Sequence, residues 1–144
     1  MGCTVTMSLV TERQDGPIGD DWRYVVEAKV FNEGLKGKGK IKVPKHQLSN
    51  GVTQEPPGPP EPVVMNADPG GDILVRLQVD ATEVDMFIND RGSASMDVAM
   101  KCPVEGEAPI TKEVEVSVGV VESPGISGET SVFRVVIRLV AACG

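Results

Sequence analysis

The sequence predicts an all-β fold: a two-sheet antiparallel β-sandwich of about eight strands, immunoglobulin-like or jelly-roll, with a closed β-barrel as the alternative. Three observations predict it. Val dominates a 40% apolar fraction, while aromatics are scarce and 16 Gly and 11 Pro punctuate the chain. Such a composition favours strands and turns over helices. Residues 131–142 read SVFRVVIRLVAA, with Phe133, Val135, Ile137, Leu139 and Ala141 forming one unbroken apolar face at period two. Similar alternation recurs in short segments separated by turn formers, with no helical period.

Taken in order, Thr4 to Thr11 is a first strand with Val5, Met7 and Leu9 on one face. A Gly- and Pro-bearing loop follows, and Trp22 to Asn32 is a long strand with Trp22, Tyr24, Val26, Ala28 and Val30 inward. Residues 36–43 alternate Lys with Gly and apolar residues. A row of Lys is a common guard on an exposed sheet edge, so this segment is expected at an edge. Residues 44–72 are expected to be a long Pro/Gly-rich loop, its centre (Glu55 to Pro62) extended by five prolines in eight residues. Three further strands are expected at Ile73–Asp80, Glu83–Ile88 and Ala94–Lys101, with Met86 and Ile88 inward in the second. A seventh runs Glu113–Val121, the loop ESPGISGET follows, and Ser131–Ala142 is the central strand. Val132, Val136 and Val140 on its second face imply cover by another layer or a subunit contact. At 144 residues the chain suits one domain, 1–144.

A formal charge of −7 and a pI near 4.7 argue against a nucleic-acid partner, because such binders cluster Lys and Arg to displace counterions. No apolar run is long enough for a membrane-spanning helix. Three cysteines are an odd number. Cys3 and Cys143 flank the first and last strands, so a bond between them is sterically feasible if those strands are neighbours, leaving Cys102 over; otherwise all three are small buried hydrophobes. A secreted or cell-surface setting is favoured over a cytoplasmic one. MGCTVT fits the loose acylation pattern at Gly2 and Cys3, although a strand starting at Thr4 leaves almost no tether.

Catalytic signals are weak. His46, the single histidine, falls in the long loop and is expected at the surface, and no nucleophile elbow, P-loop or zinc-ligand spacing occurs. Trp22 and Tyr24 are expected in the core rather than on a sugar-stacking platform. Calcium is the best metal option, with Asp15, Asp20, Asp21, Asp68, Asp72 and Asp90 in turns that loop convergence can pool; turn chemistry alone explains the same residues. Partner-binding candidates are Lys36, Lys38, Lys40 and Lys42, with Pro57, Pro59 and Pro60. The expectation is therefore a non-enzymatic interaction or assembly module without a cofactor, binding a protein partner or its own copies. A Ca²⁺-dependent ligand-binding module is the alternative, and a small hydrolase using a carboxylate pair ranks third.

Overall fold

A computed structural model describes residues 2–86, 88–122 and 129–143. Nine strands run β1 (Cys3–Asp15), β2 (Asp21–Phe31), β3 (Leu35–Gln47), β4 (Thr53–Gln54), β5 (Val63–Asn66), β6 (Asp72–Glu83), β7 (Asp90–Lys101), β8 (Ile110–Val121) and β9 (Thr130–Cys143). They form two antiparallel sheets that do not close into a barrel. One has the order β4-β1-β9-β8, with β5 also pairing β1; the other is β3-β2-β6-β7.

Period-two alternation explains the core. Phe133, Val135, Ile137, Leu139 and Ala141 of β9 are fully buried and face Trp22, Tyr24, Val26, Ala28 and Val30 of β2. Trp22 stacks on Phe133 at 5.7 Å, and Tyr24 tilts against the same ring at 4.7 Å. The valines on the other face of β9 are only half-buried.

Four expectations are corrected. First, 72–88 is not two strands: β6 runs unbroken from Asp72 to Glu83, and the chain turns before β7 begins at Asp90. Met86 (85% exposed) and Ile88 therefore sit in solvent, where the turn puts them, rather than in the core. Second, the expected loop 44–72 is interrupted by the end of β3 and by the short strands β4 and β5, while the Pro tract 55–62 lies in no strand. β3 continues through Pro44 to Gln47, which an edge strand permits because Pro there leaves no ladder donor missing, and β5 pairs Val63–Asn66 with Met7–Thr4. Third, His46 is not a loop residue: it lies on the extended end of β3, half-buried, with its ring against Glu12. Fourth, Cys3 bonds Cys102, not Cys143. The end strands are indeed neighbours, with Cys3 opposite Cys143, but Cys3 is buried and points to the opposite sheet, where Cys102 follows β7. The expected ESPGISGET loop and Met1 lie mostly or wholly outside the described residues.

The Lys–Gly alternation has a packing cause. Lys38, Lys40 and Lys42 stand opposite Lys29, Glu27 and Val25 on the outer face, while Gly37 and Gly39 turn inward. A Cβ at Gly37 would collide with the backbone of Asn66, and one at Gly39 would crowd Val63 and Met65. Glycine thus lets β5 close that side of the sandwich. Across the molecule Gly92 of β7 meets the Gly119 backbone of β8 equally closely.

Candidate functional site

A bulge in β1 sets up the interior polar group. The β1–β9 register shifts between Leu9 and Thr11, so the inward parity passes from odd to even residues, and Glu12 and Gln14 become fully buried. A one-residue insertion is what re-aims side chains in this way. Tyr24 Oη donates to Glu12 Oε1 at 2.8 Å, and Gln54 Nε2 donates to Oε2 at 2.9 Å. His46 Nε2 lies 2.5 Å from the same Oε2, and its Nδ1 is 2.8 Å from the Pro44 carbonyl. That carbonyl only accepts, so Nδ1 is the donor to it, and Nε2 is left facing the Glu12 carboxyl. Burial, with the adjacent Glu12 charge, raises the Tyr24 hydroxyl far above its ordinary range. The histidine is thus held by a carboxylate, as acid–base machinery requires. Glu12 itself has no exposed surface, while the His46 side chain keeps 11% of its own.

The carboxylates divide between the two ends of the sandwich. Asp15, Asp20, Asp21 and Asp90 lie at the end where β1 finishes and β2 begins; Asp68 and Asp72 lie at the other, roughly 35 Å away for strands of this length. Asp15 is ion-paired with Arg13 and Arg134, and Asp68 accepts from the Cys3 N–H at 2.5 Å. What does come together is Glu83, Asp85 and Asp90, each offering an oxygen within 4.8 Å of the others. Burial pushes the Glu83 carboxyl up to about 7, with repulsion from Asp85, Asp90 and Asp21 adding to the rise and the Asp21 backbone hydrogen bond opposing it. Hard oxygen donors of this kind suit Ca²⁺ or another hard cation. Glu83 and Asp85 escaped the sequence-based set because Glu83 reads as a strand residue; its position opposite Trp22 comes from pairing alone.

The Pro tract lies against the outer face of the β1–β9 sheet. Pro56 is buried, and Pro59 and Pro60 line a groove of about 310 Å³ with Leu9, Val10 and Arg138. Pro57 and Pro59 are exposed.

The lysine row is the most accessible of the candidates. β3 is the terminal strand of its sheet, and Lys36, Lys38, Lys40 and Lys42 are all exposed. Among the described residues none of the four is in an ion pair. Alternate residues of a strand stand about 6.7 Å apart, so Lys38, Lys40 and Lys42 make a regular line of cations. At its end a groove of about 310 Å³ is lined by Arg23, Val25, Lys42, Pro44, Asp80 and Thr82. Its walls carry two cations, Arg23 and Lys42, and one anion, Asp80, around an apolar floor.

No protein-family model matches the chain, and a search of curated proteins finds no match. Among the described residues no helix is long and apolar enough to cross a membrane.

Proposed function

We propose that this protein is a non-enzymatic binding module that takes an acidic protein segment along the β3 side of its β3-β2-β6-β7 sheet. One observation carries the reading: in a chain of net charge −7, four exposed lysines stand on an edge strand and make no ion pair among the described residues. Fixed charges left unneutralised on a rigid surface attract and orient an oppositely charged partner. The groove between Arg23 and Lys42 adds a pocket at the end of the row. The test is titration with fluorescent poly-glutamate at low salt. Binding that weakens as salt rises, and is lost when Lys36, Lys38, Lys40 and Lys42 all become Glu, supports it. Equal binding by that variant overturns it, as does a preference for duplex DNA over the acidic polypeptide.

A second reading, a Ca²⁺-dependent module, is favoured by the crowded carboxyls Glu83, Asp85 and Asp90. A cation there must raise the melting temperature, because binding to the native state alone stabilises it. An unchanged melt on adding Ca²⁺ and then EDTA removes that reading.

A further inference from the structure

Three cysteines meet at the end of the sandwich away from the crowded carboxyls. Cys3, at the start of β1, is bonded to Cys102, one residue past β7. Cys143 is a free, half-buried thiol directly opposite Cys3 in the β1–β9 ladder. All three line one cavity of about 270 Å³ together with Gly70 and Gly71. Cys102 Sγ lies 3.9 Å from the carbonyl oxygen of Ala142, the residue before Cys143. Facing residues of antiparallel strands have Cα atoms about 4.5–5.5 Å apart, within the span that a disulfide bridges. Cys3 therefore has two cysteines within bonding reach and is joined to one.

We propose that Cys3, Cys102 and Cys143 form an intramolecular thiol–disulfide exchange centre. The Cys143 thiolate attacks Cys3 Sγ. The Cys143–Cys3 sulfur–sulfur bond forms while the Cys3–Cys102 bond breaks, and its electron pair leaves on Cys102 Sγ as a new thiolate. Solvent takes the proton from Cys143 and returns one to Cys102. One disulfide and one thiol stand on each side, so no external oxidant or reductant is consumed. The attacking species is the thiolate, so the rate rises with pH. Before exchange the covalent tie joins the two sheets; afterwards it lies within one sheet, and the β7–β8 connection is released from β1. The proposal is independent of the binding function proposed above.

Trypsin can separate the three cysteines, cutting after Arg13, Lys101, Lys112 and Arg138. The oxidised full-length protein is held at about pH 4 or about pH 8.5, trapped with a maleimide under mild acid, and mapped without reduction. The acid sample should carry label on Cys143 and a Cys3–Cys102 linkage. The alkaline sample should show label on Cys102 and a Cys3–Cys143 linkage in about a tenth of chains or more, at a rate independent of protein concentration. Label confined to Cys143 at both pH values overturns the proposal, as does exchange only through disulfide-linked dimers. As a second measurement, the Cys102→Ser variant treated with oxidised glutathione should form the Cys3–Cys143 disulfide. Glutathione adducts retained on both cysteines instead would count equally against it.

Discussion

The two sheets settle their charges in opposite ways. On the outer face of the β4-β1-β9-β8 sheet the charged strand residues among those described are paired: Arg13 and Arg134 hold Asp15, Arg134 also reaches Glu115, and Arg138 holds Glu113 at 2.6 Å. Glu12, fully buried on the inner face of this sheet, is enclosed by three hydrogen-bond partners. On the β3-β2-β6-β7 sheet, Arg76 pairs with Asp97 and Lys29 approaches Glu27, yet among the described residues Lys36, Lys38, Lys40 and Lys42 make no ion pair, although Glu27 stands opposite Lys40. The same fold thus carries one electrostatically finished face and one unfinished face. Surface ion pairs contribute little to stability, so the contrast concerns recognition more than folding.

The comparison can be broken at its most stable point first. Glu12→Ala leaves His46, Tyr24 and Gln54 without their common acceptor, and the expected loss is about 3–5 kcal/mol of unfolding free energy. Urea titration measures it, and if the variant still folds, its poly-glutamate affinity should be unchanged. The acidic end comes next. The folded Glu83 carboxyl is pushed up to about 7 from an ordinary 4.5. Between those values the native state holds a proton that the unfolded chain has released. Its contribution to stability therefore falls as pH rises through that window, by roughly 3 kcal/mol in total, and is flat above it. Subtracting the Glu83→Gln unfolding profile from that of the natural sequence should recover this slope, and no slope would sink the assignment. Reversing the four lysines is third: about a hundredfold weaker binding of acidic polypeptide, or about 2.7 kcal/mol, at low salt. The smallest effect belongs to the finished face, where Arg138→Gln should shift stability by about 0.5 kcal/mol or less and leave binding untouched. A larger binding loss there than on β3 would reverse the assignment of the two faces.

Alternation made most strands legible. Phe133 to Ala141 and Trp22 to Val30 are buried where a period of two puts them, and the Lys–Gly segment is an edge strand. Departures from strict pairing stayed hidden. The apolar doublet Leu9–Val10 is the sole local sign of the bulge that turns Glu12 inward. Pro44 disguised the end of β3, and with it the half-buried position of His46 against Glu12. The Cys3–Cys102 bond depends on which sheet β7 joins, which spacing along the chain does not encode. Likewise the lysine row was visible, while its lack of ionic partners became apparent only once the neighbouring strands were in place.

The bulge in β1 lets a single surplus residue, Val10, put Met7 and Glu12 on the same inner face although five positions separate them. Deleting Val10 would remove that surplus and leave Glu12 and Gln14 inward, in one continuous register with β9. Flattening the bulge with Val10 retained would instead rotate the rest of the ribbon by half a turn, presenting Thr11 and Arg13 to Tyr24 and sending Glu12 into water.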